Sequence, residues 1–225
     1  NKDIVMLVHL GMTGKFFFVN QKKTKYKTSF YYDINDEKDK KHNHIIFDLS
    51  NNQKLIYNDI RKFGFIKIIK RVNLDQNIHL KYLGPEPLSN KFNIEYFKNF
   101  ISGKNRTIKD ILMDQKFISG LGNIYVNEIL FYSGLKPAKN VKKLKHVEIK
   151  KIIKFSKKII SKAISLGGSS IKDFSSSSGK KGSFQQHFNV YGKKGENCSK
   201  IKCEGKIKKI VISNRASFFC NKCQK

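Results

Sequence analysis

The chain has 225 residues, 39% of them hydrophobic and 28% charged, and its 46 Lys and Arg against 17 Asp and Glu give a formal charge of +29. No stretch approaches the ~18 uncharged apolar residues that span a bilayer, and Asn1–Lys15 lacks the basic, apolar, small-residue order of a signal peptide, so a soluble cytoplasmic protein is expected. A positive field of this size attracts polyanions, nucleic acid first and an anionic membrane surface second. The membrane reading is the weaker, because no amphipathic segment sets its lysines opposite a large aromatic face. Only four of the cations are Arg (Arg61, Arg71, Arg106, Arg215). Lys, Ile and Asn share AT-rich codons, so drift explains part of the excess, but drift would not remove the acids.

From Ile4 to Ile69 the pattern is that of strands. Ile4–Leu10, Lys15–Val19, Phe30–Tyr32, His44–Leu49, Lys54–Asn58 and Gly64–Ile69 are rich in Ile, Phe, Tyr and Val, with turn formers such as Ser50-Asn51-Asn52 between several of them. The first strand is apolar enough to predict partners on both sides, hence residues upstream of Asn1. After Leu83-Gly84-Pro85-Glu86-Pro87 the period changes. Phe92–Ile101, Ile108–Met113, Asn123–Ser133 and Glu148–Leu166 are predicted as helices. In the last, Ile149, Ile152, Ile153, Phe155, Ile159, Ile160, Ala163 and Ile164 form an apolar stripe that Gly167-Gly168 ends. Ser175–Gly182 is a Ser/Gly/Lys loop, and short strands resume from Phe184. The fold class expected is α+β, with boundaries at 1–84 for a β half, 85–183 for a helical middle and 189–225 for a small tail.

That tail holds the four cysteines. Cys198 and Cys203 are four residues apart, Cys220 and Cys223 two apart, with room for one β-hairpin between the pairs. Four thiolates so spaced close a tetrahedral zinc site with bonds of ~2.3 Å, and a tail this short needs the metal to fold. Two disulfides or an iron–sulfur cluster are the alternatives, and neither suits a cytosolic chain with no other redox feature. From Lys193 to Lys225 there are ten Lys or Arg against two Glu. Arg215, flanked by small polar residues at the hairpin tip, offers a forked donor that suits phosphate.

Five segments then appear in order: His9-Leu10-Gly11-Met12-Thr13-Gly14, Asp59-Ile60-Arg61-Lys62-Phe63-Gly64, Leu83-Gly84-Pro85-Glu86-Pro87-Leu88, Gly120-Leu121-Gly122-Asn123-Ile124-Tyr125 and Val190-Tyr191-Gly192-Lys193-Lys194-Gly195. With the cysteine finger they cover nearly the whole chain, which resembles the bacterial formamidopyrimidine-DNA glycosylases. The resemblance implies an N-terminal β-sandwich, a helix-two-turn-helix domain and a β-hairpin zinc finger with one structural zinc. It also implies a monomer acting on damaged double-stranded DNA, as a bifunctional glycosylase and abasic-site lyase for oxidised purines.

By the same resemblance Met12 fills the space left by an everted nucleotide, Phe63 wedges the neighbouring step and Arg61 bonds the estranged cytosine. A pliable thioether, a flat apolar ring and a forked donor suit those tasks; ordinary core packing is the alternative for Met12 and Phe63. Asn123, opening a helix after Gly120-Leu121-Gly122, would meet the backbone beside the lesion, and His42, Lys104 and Lys109 fall at DNA-contacting positions. Glu128 would orient that site, and Arg215 would grip phosphate and serve as proton donor in the final elimination.

Two departures stand out. The family's usual first knuckle is CxxC, whereas four residues separate Cys198 from Cys203. Its N-terminal Pro-Glu and its catalytic Lys have no counterpart here, so a fragment lacking the catalytic front is expected. Two other readings stay open: a non-catalytic DNA-binding remnant, and the endonuclease VIII branch, which prefers oxidised pyrimidines.

Overall fold

The computed structural model describes residues 2–20, 40–169 and 182–225. The predicted strand Phe30–Tyr32 and nearly all of the Ser175–Gly182 loop lie outside them. The chain divides into two compact units, Asn1–Asn77 with Gly167–Gln185, and Ile78–Leu166 with Gln186–Lys225.

Among the described residues, the first unit has five antiparallel strands: β1 (Ile4–His9), β2 (Lys15–Asn20), β3 (Asn43–Leu49), β4 (Gln53–Asn58) and β5 (Phe65–Lys70). They form two sheets, β1 with β5 and β2-β4-β3 with β4 in the middle. The central strand carries the core, with Ile56, Tyr57 and Asn58 all buried and Phe17 of β2 facing Ile56 across the ladder. Among the described residues β1 pairs with β5 alone, and Ile4 and Met6 are exposed.

In the second unit the helices are α1 (Ile94–Ile101), α2 (Ile108–Met113), α3 (Asn123–Ser133) and α4 (His146–Ser165), and β6 (Ile207–Ile212) pairs with β7 (Arg215–Cys220) as a hairpin. Each helix start has a chemical reason. Asn93 caps α1 by accepting from the Tyr96 N–H. Phe92 therefore lies before the helix, its ring 6.2 Å from that of Phe97, so an apolar staple spans the cap. Thr107 caps α2. Helix α4 begins at His146 because Glu148 accepts from the Lys145 N–H at 2.9 Å, which makes Glu148 a third-position cap rather than the first helical residue. Its apolar stripe is buried at Ile149, Ile152, Ile159 and Ala163, but Ile164, one residue beyond, is 65% exposed.

Helix α3 is the hub. Val126, Asn127, Glu128, Ile129, Leu130 and Phe131 are consecutive and all buried, so it is covered around its whole circumference, and Gly134 ends it in the left-handed conformation. Beside it, Phe117 is fully buried, with the rings of Phe92, Phe97, Tyr96 and Phe100 between 4.7 and 5.8 Å away. Among the described residues no helix is long and apolar enough to cross a membrane.

Candidate nucleic-acid interface and metal centre

In the first unit, Met12 and Phe63 are 51% and 58% exposed, on the β1–β2 and β4–β5 loops respectively. Core packing is thus not their role. Arg61 joins them: its Nη1 donates to Met12 Sδ at 3.1 Å, and its guanidinium carbon stands 4.5 Å from the centre of the Phe63 ring. Three side chains that the sequence brings together only by resemblance therefore form one contiguous exposed group. Sharp turns present them, with Gly11 at φ +63° and Lys62 at φ +55°. Gly14 closes back on Leu10, its N–H donating to the Leu10 carbonyl at 2.8 Å. A Cβ at Gly14 would fall 2.1 Å from that oxygen.

Underneath lies a residue that the sequence reading quoted but did not single out. Asp59 is fully buried and accepts four hydrogen bonds. Oδ1 receives Thr13 Oγ1 at 2.5 Å and the Arg61 N–H at 3.3 Å, and Oδ2 receives the Gly64 N–H at 2.9 Å and the Tyr57 hydroxyl at 3.1 Å. Burial alone would raise its carboxyl, but the bonds from Thr13, Gly64, Tyr57 and Arg61 outweigh it and hold the group below its ordinary value. Burial and the neighbouring Asp59 push the Tyr57 phenol up to about 12. His42 is half-buried at the same place, and its carbonyl accepts from the Asp59 N–H at 3.1 Å.

In the second unit the hairpin tip is tied to α2 and α3. Its turn uses Ser213 and Asn214, both at positive φ, and Arg215 opens β7 exposed at the tip. Ser213 Oγ donates to Asp110 at 2.6 Å. The Ala216 carbonyl accepts from both Lys109 Nζ at 2.8 Å and the Asn123 amide at 3.1 Å, and the Phe218 N–H donates to Asn127 at 2.6 Å. Lys109, expected to face DNA, is only 1% exposed, and its ammonium also reaches Ser217 Oγ at 2.6 Å. In this arrangement it fastens the finger. Burial, then the nearby Arg215 charge, lower its pKa to about 8, with Asp110 opposing. Arg106, Asp110, Met113, Asp114, Ile212 and Arg215 line the small cleft beside it.

Glu128 binds three consecutive backbone N–H groups. Asn189 donates to Oε2, and Val190 and Tyr191 to Oε1, all at 2.9–3.0 Å. It thereby fixes the segment that enters the finger. Lys104 is half-buried in the loop between α1 and α2, its ammonium 4.5 Å from the centre of the Phe100 ring. Asn127, Asp110 and Asp59 were not singled out from sequence. Their only signal was a polar residue near one that was: Asn127 next to Glu128, Asp110 next to Lys109 and Asp59 two residues before Arg61.

The four cysteine sulfurs lie within 4.8 Å of one another, so Cys198, Cys203, Cys220 and Cys223 can hold one metal ion. Cys198 and Cys223 are 3.7 Å apart, as are Cys203 and Cys220. That is the edge of a tetrahedron with ~2.3 Å metal–sulfur bonds, about 3.8 Å, and well beyond the ~2.05 Å of a disulfide. A Cβ on Gly205 would stand 2.4 Å from Cys220 Sγ, so only glycine leaves room for the ligand there. The longer first knuckle closes through Lys202 in the left-handed conformation. The tail is also anchored outside the knuckles: Gln224 accepts from the Cys220 N–H and donates to the Leu135 carbonyl.

Two family profiles match this chain: the formamidopyrimidine-DNA glycosylase N-terminal domain over residues 1–66, and the formamidopyrimidine-DNA glycosylase H2TH domain over residues 83–175. The formamidopyrimidine-DNA glycosylase of Ruegeria pomeroyi is 35% identical over 221 residues, which are 98% of this chain and 76% of that protein. The Rickettsia massiliae protein of the same name is 39% identical over 224 residues, 100% of this chain and 74% of the relative. Among solved structures, a mutant of the Lactococcus lactis enzyme in complex with DNA containing Fapy-dG superposes with a TM-score of 0.81 at 32% identity, covering 99% of this chain and 76% of that one. The Lactococcus lactis enzyme bound non-covalently to DNA with an AP site gives 0.80 at 32% identity, covering 100% and 76%. The α+β architecture, the helical domain and the cysteine hairpin are those of DNA glycosylases. This chain belongs to the formamidopyrimidine-DNA glycosylase family.

Proposed function

We propose that this chain recognises damaged duplex DNA in base-excision repair, as part of a glycosylase that excises oxidised purines and cleaves the resulting abasic site by elimination. The observation that carries the reading is the exposed trio of Met12, Arg61 and Phe63, held in contact with one another on rigid turns. An apolar thioether, an aromatic ring and a guanidinium exposed on an otherwise lysine-rich protein suit entry into a base stack, at the cost of a few kcal/mol of unstacking. Met12 fills the vacated site, Phe63 wedges the next step, and Arg61 bonds the base left behind. In the second unit Arg215 and Asn123 hold phosphates with Lys104 as a further backbone contact, His42 of the first unit is another, and Arg215 is the group proposed to donate a proton in the elimination. The metal is proposed to be zinc, bound by the four cysteines and purely structural.

The test is binding to three duplexes: intact, with an abasic analogue opposite cytosine, and with the same analogue opposite adenine. Tighter binding to the abasic duplex, by at least about tenfold, with cytosine preferred, supports the reading. Equal binding to all three overturns it. Replacing Arg215 by Ala is expected to weaken binding to every duplex alike and to lower the salt slope by about 1. Metal analysis is expected to return one zinc per chain.

A further inference from the structure

We propose that Asp59 is the positioning residue for the inserted group, a single buried carboxylate that locks the two DNA-entering loops into one rigid tip. This rests on the reading that Met12, Arg61 and Phe63 enter the duplex. Those three side chains are exposed, so no core holds them. What holds them is polar and converges on one group.

Through Oδ1, Asp59 binds Thr13, next to Met12, and the Arg61 backbone; through Oδ2 it binds the Gly64 backbone, next to Phe63. Thr13 Oγ1 also receives the Arg61 N–H at 3.0 Å, which closes a ring across the two loops. The main chain of Asp59 adds a third segment, since its N–H donates to the His42 carbonyl and its own carbonyl lies 2.8 Å from His44 Nε2.

The neighbouring glycine fits this design. A Cβ on Gly64 would meet the Tyr57 hydroxyl at 2.0 Å and stand 3.2 Å from Asp59 Oδ2, so a side chain there would keep the loop off the carboxylate. A carboxylate facing DNA would repel phosphate. This one is fully buried, and donors occupy both oxygens, so it acts on DNA only through the loops it joins. Because all four of its partners donate, an amide in its place would set donor against donor. Rigid loops leave less ordering to be done on insertion, which favours the lesion complex over the intact one.

The experiment places 2-aminopurine in the strand facing an abasic analogue, beside the orphaned cytosine, and reads its fluorescence on binding. With the unaltered chain the signal should rise as the step opens. Phe63→Ala and Met12→Ala should each suppress the rise. If neither does, the reading of the trio fails, independently of Asp59. Given that they do, Asp59→Asn should lose most of the rise, and its preference for abasic over intact duplex should fall about tenfold. Its affinity for intact duplex and its salt slope should stay unchanged. Thr13→Val removes only the bridging hydroxyl and should act in the same direction by about threefold. It decides the matter if Asp59→Asn does not fold. A folded Asp59→Asn chain, or failing that Thr13→Val, that keeps the fluorescence rise and the lesion preference overturns the proposal.

Discussion

In the unit of β1–β5, the large apolar side chains proposed to meet DNA, Met12 and Phe63, stand outside any core. In the unit of α1–α4 and the hairpin, Asn123 opens the largely buried helix α3, and Arg215 opens the hairpin strand that is hydrogen-bonded to it. Phe63 and Phe117 illustrate the difference. Both are phenylalanines next to a turn, yet one ring is more than half exposed and backed by a guanidinium, while the other is surrounded by four aromatic rings. The first unit fixes its tip with hydrogen bonds to one carboxylate. The second fixes its tip by apolar burial, by a buried lysine and by four sulfurs. Apolar burial is non-directional and roughly proportional to area, so it tolerates shape changes far from the tip. Four directed bonds to Asp59 do not.

Breaking the metal site should have the largest effect and should fall on one unit only. In Cys220→Ser one thiolate is lost, and structural zinc contributes ~10–16 kcal/mol of apparent binding energy in small fingers. Zinc content should drop to near zero, and amide exchange along β6 and β7 should become fast, while β1–β5 exchange as before. A variant that keeps its zinc and its protected hairpin would show that four thiolates are not the site.

The second prediction uses the phenylalanine pair directly. Phe117→Ala empties the middle of an aromatic cluster and should cost about 3–5 kcal/mol, seen as a lower denaturant midpoint for the helical unit. Phe63→Ala should stay within roughly 0.5 kcal/mol of the unaltered chain while losing lesion preference. If Phe63→Ala were as destabilising as Phe117→Ala, the exposed ring would be a core residue and the contrast between the units would collapse.

Much of this was legible in the sequence because it is periodic or punctuated. Alternating Ile, Phe and Val gave β2, β4 and β5 to within a residue or so, and α3 runs over the expected Asn123–Ser133. Met12, Arg61 and Phe63 were legible only through their flanking glycines and the resemblance. Three things were not legible. Glu148 looked like the first turn of α4 because a carboxylate capping from the third position leaves the same pattern as one inside the helix. Lys109 was expected at a DNA-contacting position, and its burial was not legible because it depends on acceptors more than a hundred residues away, at Ala216 and Ser217. Asp59 looked like a strand-end acid. Its four donors come from positions 13, 57, 61 and 64, and no local pattern announces such convergence.

Lys109 supplies the smallest expected effect, and its sign follows from its environment. Its pKa in the folded chain is about 8, below the ordinary 10.5, because burial and Arg215 disfavour the charged form. Between those two values the folded state holds fewer protons at this site than the unfolded state does. Stability from this group therefore rises with pH from about 8 to about 10.5, and below 8 the full cost of burying the ammonium is present. Lys109→Met keeps the length of the stem but cannot titrate. Metal-loaded protein unfolded by denaturant at pH 7.5, 8.5 and 9.5 should show the original chain gaining on the variant as pH increases. The gain should be on the order of 1 kcal/mol across that range. The cysteines and the other lysines titrate alike in both chains and drop out of the difference. Parallel stabilities at all three pH values would mean that the lysine keeps its ordinary charge. Its two hydrogen bonds to the hairpin would then have to offset its burial in full.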